Sequence, residues 1–426
     1  MSEALRAALR RGWCPGALRP MATGDGLLVR LHPPGGRLNL ADLRLVARLA
    51  RETGNGLVDL TGRGNLQIRG VGAASHGDLV AGLIEGGLVD ADEDVGPYRL
   101  TLVSPLAGRD PTDLADAGAL AAGIEALRRS VPGLPAKTGI VVDGGGCLSL
   151  DDVPADLRIR AVAPDGVLIG LAGDRWFGPL ALGAVPGVVG PLLSGLATLH
   201  RARPEHVRRM RDVPEQDIAT LFASHGVQPT RAPPARPGPL QAGSFREAGE
   251  TTAILFGAPF GRCTASQIGS LADIAQAAGA ADIRLSPWRG LAMTGLAATE
   301  AVVARIAALG FITAPGDPRL AVRACPGAPA CSRGETAAQE DAVRFAAAAA
   351  RRLAGGMTLH VSGCAKGCAQ PGIADVTLVG HDGAYHIVLD GTAGDLPFAR
   401  RTAVDLASDL ACEGDFRRHL QGVSSS

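Results

Sequence analysis

Two pairs of cysteines mark the last third of the sequence: Cys325 and Cys331 bracket Pro-Gly-Ala-Pro-Ala, and Cys364 and Cys368 bracket Ala-Lys-Gly. Four thiolates in such loops can hold a cubane [4Fe–4S] cluster, an electron carrier, and the Pro and Gly between them keep the backbone out of helix so that its N–H groups face the cluster sulfides. Zinc is the competing reading. Structural zinc sites favour gaps of about two to four residues, which suits the second pair and not the first. Four unrelated buried cysteines are the third reading. The remaining cysteines, Cys14, Cys147, Cys263 and Cys412, are scattered and read as reduced core or surface thiols.

The cationic side chains are the next candidates for chemistry. Only two lysines occur, Lys137 and Lys366, and the other basic residues are arginines apart from the histidines. Codon bias accounts for the general skew, but a retained lysine points to a place that uses a compact, mobile charge instead of a planar fork. Lys366 lies inside the second cysteine loop, where a positive charge would raise the reduction potential of a bound cluster. Lys137 follows a Leu-Pro turn and precedes an apolar strand.

These groups must be positioned by a chain of 426 residues that is 46% hydrophobic, 3% aromatic and holds 58 glycines. That is material for two or three packed units with many tight turns. The formal net charge is zero, which speaks against nucleic acid and anionic membrane as partners, since both require a basic excess. The N-terminal MSEALRAALRRGW has no uninterrupted apolar stretch, and no window approaches the roughly 18 apolar residues of a membrane span. A cytoplasmic location is expected, where unpaired cysteines stay reduced.

Sliding the sequence on itself exposes a repeat at an offset of 225: Gly36-Arg37 falls on Gly261-Arg262, Gly54 on Gly279, Leu66 on Leu291 and Gly70 on Gly295. In the first copy, periodicity predicts a strand over 27–31, an amphipathic helix over 41–54 and a hairpin from 56–60 and 65–69. The second copy predicts a strand over 252–257, a helix over 266–279, strands over 281–286 and 290–295, and a helix over 297–310. This β-α-β-β-α order is that of a ferredoxin-like unit. With small gaps the match continues, Ser104-Pro105-Leu106-Ala107 falling on Cys325-Pro326-Gly327-Ala328 and 139–145 on 358–364. The expected organisation is α+β, in two pseudo-symmetric halves, each a ferredoxin-like unit followed by an α/β unit. The units are 1–90; 91–229, whose 176–227 stretch looks helical; a Pro-rich linker over 230–250; 251–317; and 318–426 with the cysteines.

With these residues in view, the chain resembles the nitrite and sulfite reductase superfamily, whose members hold a [4Fe–4S] cluster beside a sirohaem. Besides the cysteine spacing, Thr61-Gly-Arg63-Gly-Asn65-Leu-Gln67 looks like that superfamily's Thr-x-Arg-x-Asn-x-Gln motif, and Arg99 and Lys137 fall where it places an Arg and a Lys around the substrate. Gly12-Trp13-Cys14-Pro15-Gly16, the 24–30 run, Ala324 to Cys331, and Ser362 to Pro371 more closely resemble the precorrin-3B synthases. The reductases usually show Pro-Asn in place of Ala365-Lys366.

That resemblance implies a monooxygenase of aerobic cobalamin biosynthesis, which hydroxylates precorrin-3A at C20 with O2 and closes a γ-lactone. Sirohaem and precorrin-3A share a carboxylate fringe, so a cofactor pocket can become a substrate pocket. The implied ligands of the cluster are Cys325, Cys331, Cys364 and Cys368. Arg63, Arg69, Arg99, Lys137 and Lys366 are the candidates to meet substrate carboxylates, with Arg63, Arg99 and Lys137 as the catalytic set; Arg forks suit a carboxylate. Trp288 takes the place of Arg63 in the second copy and reads first as a core residue, second as a platform for the macrocycle. The family also implies a mononuclear non-haem iron, for which His360, His381 and His386 are the histidines to consider. NADH is the implied ultimate electron donor. No Gly-x-Gly-x-x-Gly opens a helix after a strand, so a separate reductase or ferredoxin is expected to deliver the electrons. Two other functions remain open: a sirohaem-dependent sulfite or nitrite reductase, and a non-catalytic iron–sulfur electron carrier.

Overall fold

The structure, a computed structural model, describes residues 15–92, 99–172, 174–248, 251–414 and 416–420. Cys14 and the start of its motif lie outside the described residues, as does the N-terminal segment before it.

The repeat is built as two ferredoxin-like sheets that exchange edge strands. In the first sheet the order is Met21–Thr23, Gly26–Leu31, Leu66–Val71, Leu57–Leu60 and then Arg262–Thr264 from the other half. The second runs Gly243–Arg246, Thr252–Gly257, Gly290–Leu296, Asp282–Ser286 and then Arg37–Leu38 from the first half. The duplicated Gly-Arg pair therefore marks the crossing point. Before each exchanged strand a single 3-10 turn, Pro34–Gly36 or Pro259–Gly261, redirects the chain, and Gly36 and Gly261 take φ of 66° and 78°, a region open to glycine at little cost.

The long helix of each copy starts at a reciprocal cap. Asn39 accepts from the Asp42 N–H at 2.9 Å while Asp42 accepts from the Asn39 N–H at 2.9 Å, opening Leu40–Thr53. Thr264 and Gln267 do the same for Ala265–Ala277. The buried Leu43, Val46, Ala47 and Ala50 of the first helix recur at the helical period. They pack with the matching helix and both sheets into one hydrophobic core.

Each half continues into an α/β unit with its own core. Parallel strands Thr101–Val103 and Ile140–Asp143 begin the first, Val322–Ala324 and Leu359–Ser362 the second, and antiparallel strands complete both sheets. Sequence reading needs three corrections here. Arg175–Ala181, expected within a helical stretch, is a strand of the first unit. The Pro-rich segment is not only a linker, because Gly243–Arg246 adds an edge strand whose ladder the flanking prolines leave intact. Among the described residues one helix, Leu182–Ala202, is long and apolar enough to cross a membrane by length and composition. Its buried Val185, Val188, Val189, Leu192, Leu193 and Leu196 lie in the core of the first α/β unit.

Candidate functional site

The cysteine loops sit at the carboxyl ends of the parallel strands Val322–Ala324 and Leu359–Ser362, in adjoining register. The Cys325 N–H donates to the Val361 carbonyl at 3.1 Å, and the Gly363 N–H donates to Cys325 Sγ at 3.1 Å. The Cys364 thiol is raised by desolvation and by the nearby Cys325 and Cys331, against the Lys366 N–H and ammonium, and Cys368 feels the same three neighbours. All four thiols therefore share one electrostatic neighbourhood and none is in a disulfide. A Cβ on Gly327 would fall 2.4 Å from the Ala338 nitrogen, and one on Gly363 would fall 2.8 Å from the Gly327 Cα. The loops pass too close for side chains there.

The four thiols at adjoining strand ends are the residues that could hold one metal centre. Elsewhere, among the described residues, Glu335, His381 and Asp382 bring ligand atoms within 4.8 Å of one another.

The first-half loop at the equivalent place shows why there is one cradle. Ser104 stands where Cys325 does and Asp110 where Cys331 does. Asp110 accepts from the Cys147 N–H at 2.7 Å and the Thr112 N–H at 2.9 Å, so a carboxylate ties that loop together.

The Thr61-to-Gln67 motif forms a tight hairpin turn. Thr61 Oγ1 accepts from the Arg63 N–H at 3.2 Å and the Asn65 N–H at 3.3 Å, and Gly64 takes φ of 61°. Alternation along the following strand then puts Asn65, Gln67 and Arg69 on one face and Leu66 and Ile68 in the core. With its amide oxygen turned to Arg30, Gln67 accepts two guanidinium hydrogen bonds at 2.6 and 2.9 Å. The corresponding face of the second sheet carries Leu255, Gly290, Ala292 and Thr294. There Leu255, Ala292 and Trp288 pack with Leu106, Val141, Leu148 and Leu150. One copy keeps a polar, cation-bearing face and the other is plugged by apolar side chains.

The expected site residues fall into three groups. Arg63 is exposed, and its Nη1 lies 3.2 Å from where a Cβ of Gly139 would stand, so it borders the Lys137–Gly139 segment. That segment is pinned by Arg209 to the Lys137 carbonyl at 2.5 Å and by Arg128 to the Thr138 carbonyl at 2.8 Å. Arg99 donates to Asp90 at 2.8 Å and to the Leu88 carbonyl at 3.3 Å, just before the strand beside Ile140. Lys366 is exposed in the second cysteine loop, near Cys364 and Cys368.

Arg69, expected to meet a substrate carboxylate, is 1% exposed and engaged within the protein. It holds Asp25 with two bonds at 3.0 and 2.8 Å, Asp59 at 3.2 Å and the Ala330 carbonyl at 2.8 Å. It braces the first cysteine loop from the opposite half. Arg284 of the second sheet mirrors it, donating to the Pro105 and Ala107 carbonyls at 3.2 and 2.8 Å. Trp288 is a core residue whose indole N–H donates to Asp152 at 3.2 Å.

Of the histidines, His360 is fully buried with neither ring nitrogen hydrogen-bonded, and burial pulls it down to about 4. His381 lies on the surface between Glu335 at 3.3 Å and Asp382 at 3.5 Å, with the His386 ring centroid 4.8 Å away. This donor set has the right types for a non-haem iron.

Sequence reading missed Arg30 and Glu125. The signal for Arg30 was available, since the repeat sets it against Leu255. Burial pushes the Glu125 carboxyl up to about 7, with the Thr101 N–H and Arg99 pulling the other way. Because its folded value is raised, this acid favours the fold below its unfolded value near 4.5, and that contribution is lost as pH rises towards 7. Glu125→Gln should therefore be more stable than the parent at pH 8 by about 1–2 kcal/mol, the full shift being discounted for partial exposure. The gap should close at pH 4.5 in urea unfolding, and a gap independent of pH would refute the assignment.

Residues 19–86 and 246–309 match the family model for the nitrite/sulfite reductase ferredoxin-like half domain. The chain is 34% identical to a precorrin-3B synthase from Sinorhizobium sp, over 99% of this chain and 92% of that protein. It is 25% identical to a ferredoxin–nitrite reductase of Synechococcus elongatus, over 85% of this chain and 77% of the relative. In structure it resembles Mycobacterium tuberculosis NirA with a TM-score of 0.73, covering 93% of this chain and 84% of that one at 21% identity, a likeness of fold.

Proposed function

Since the chain belongs to the precorrin-3B synthase family, within the nitrite and sulfite reductase superfamily, we propose that it hydroxylates precorrin-3A at C20 with O2 and closes the γ-lactone. One oxygen atom enters the ring and the other leaves as water, with two electrons and two protons supplied through a separate reductase or ferredoxin, NADH being the ultimate donor. The observation that carries this reading is the asymmetry between the copies. One sheet face keeps Arg30, Asn65 and Gln67 next to Arg63 and the Lys137 segment, and the same half's Arg69 braces the loop of Cys331, while the equivalent face is filled. That arrangement suits a single anionic macrocycle beside a single electron carrier.

A [4Fe–4S] cluster on Cys325, Cys331, Cys364 and Cys368 would feed electrons to the reaction one at a time. The chain's own residues do the rest. Arg63, Arg99 and Lys137 present positive charge to the acetate and propionate fringe, and each charge-assisted bond contributes about 1.5–3 kcal/mol. Arg209, Arg128 and Asp156 hold the Lys137 segment in place. A cytoplasmic location accords with this reading. The reductase alternative draws on one observation, that Cys368 is the exposed member of the four, where a haem iron could be bridged.

Anaerobic titration with precorrin-3A tests the reading. The resting protein should hold no extractable sirohaem and should bind the added tetrapyrrole. Arg63→Ala should bind it about tenfold more weakly, because one substrate carboxylate loses its partner at a cost of about 1.4 kcal/mol. Arg63→Lys should recover part of the loss. Stoichiometric sirohaem in the resting protein, or unchanged binding in Arg63→Ala, would overturn it.

A further inference from the structure

Beneath the cysteine loops lies a row of donors that, among the described residues, no carboxylate contacts directly. Arg323 and His360 are register partners on adjacent parallel strands, immediately before the two cysteine loops, and so share one face of the sheet. Arg323 donates to Gln241 at 3.1 Å and to the Val322 carbonyl at 3.4 Å. Arg289 reaches the same place from the second ferredoxin-like sheet, its Nη2 donating at 2.6 Å to the carbonyl of Ala369, the residue after Cys368. Its stem is wedged where a Cβ on Gly261 would stand 2.9 Å from Arg289 Cδ, and its Nε lies 3.9 Å from the Cβ position of Gly62, beside Arg63. Arg289 adopts φ of 58°, a left-handed conformation unusual for arginine.

Among the described residues neither Arg289 nor Arg323 has a carboxylate within ion-pair distance, although most partly buried arginines here do, Arg69, Arg99, Arg236 and Arg262 among them. Neither ring nitrogen of His360 has a hydrogen-bond partner among the described residues. Burial and mutual repulsion pull Arg289 down to about 10. Two desolvated guanidiniums require an anion; of the two acids in electrostatic reach of Arg289, Asp59 is already shared by Arg69 and Arg262, which leaves Cys325 of the four-cysteine site.

We propose that Arg289, backed by Arg323, is a redox-positioning residue, the fixed counter-charge of the four-cysteine site that raises its reduction potential while tethering the Cys368 loop through Ala369. Reduction adds one negative charge to the cluster, and a guanidinium held close stabilises that state more than the oxidised one. Lys366, exposed on its flexible stem, is screened by water and contributes less. The inference rests on the iron–sulfur reading, and the experiment separates the two.

The test is a dithionite titration of the anaerobic holoprotein, followed by electron paramagnetic resonance and without tetrapyrrole. At the parent's midpoint, Arg289→Gln should show a reduced-to-oxidised ratio about tenfold lower, equivalent to about 59 mV for one electron. Arg289→Lys should stay within threefold of the parent, and tetrapyrrole affinity should be unchanged in both. If Arg289→Gln fails to load iron, Arg323→Gln is read the same way, with a fall of about threefold expected. A loaded Arg289→Gln, or failing that a loaded Arg323→Gln, with the parent's midpoint would overturn the proposal. So would a tenfold loss of tetrapyrrole binding at unchanged potential, which would make Arg289 a substrate contact. A parent protein without iron and sulfide would instead sink the cluster reading itself.

Discussion

Cys364→Ser, purified without oxygen, should lose the iron–sulfur chromophore, whereas Cys147→Ser should keep about four iron and four sulfide per chain. Cys364 opens the second cysteine loop one residue after Gly363, whose N–H already donates to Cys325 Sγ at 3.1 Å. Serine occupies nearly the same space but offers a poor ligand to a soft iron site, so the loss should come without unfolding. Far-ultraviolet circular dichroism should be the parent's. Cys147 sits in the equivalent loop of the first half, where its N–H donates to Asp110 at 2.7 Å and no second cysteine pair follows. Equal loss of iron in both variants would mean that the cradle has been placed wrongly.

Arg69→Ala should cost about 3 kcal/mol of stability and deplete the cluster as well. The side chain joins Asp25, Asp59 and the Ala330 carbonyl at 2% side-chain exposure. Burial alone would raise the Asp25 carboxyl, but the bonds from Arg69 and Thr23 outweigh it and hold it below its ordinary value. Removing one partner of such a buried pair strands the other charge, which costs about 3–5 kcal/mol. The lower end applies because Asp59 keeps Arg262 at 2.7 and 3.1 Å and the Ala330 carbonyl keeps the Gly24 N–H at 3.2 Å. The depressed Asp25 value also fixes the pH sense. Its contribution is present above the unfolded value of 3.8 and fades as pH falls through the lower folded one, so parent and variant should converge in acid. Urea midpoints at pH 7 and iron content together check this. A change under about 0.5 kcal/mol with full iron would show that Arg69 does not brace the loop.

The repeat was legible because duplicated residues keep local duties. Gly36-Arg37 and Gly261-Arg262 match because each redirects the chain into an exchanged strand, and the helices match because each carries the same capping pattern and apolar stripe. That the exchange crosses between halves was not legible, since strand periodicity names a face and not a neighbour. Arg69 illustrates the same limit. Its place on the polar face follows from alternation after Asn65 and Gln67, but its partner Ala330 is 261 positions away, and only the fold decides whether a buried arginine meets a ligand or a carbonyl. Trp288 was read first as core, and the apolar plug around it explains why the second copy has no matching polar face. Arg289 was hidden for a further reason. It has no counterpart in the first copy, where Gly64 stands at its place, so the repeat offered nothing to compare it with.

The most direct test of the account is the origin of the oxygen in the product. Holoprotein, precorrin-3A and a one-electron reductase with NADH, incubated under 18O2 in ordinary water, should yield a tetrapyrrole heavier by one oxygen atom that carries the label, while the reciprocal incubation in H218O under ordinary O2 should leave that hydroxyl oxygen unlabelled. A product whose new hydroxyl oxygen comes from water, or a protein that turns over sulfite or nitrite with bound sirohaem and leaves precorrin-3A unchanged, would contradict it.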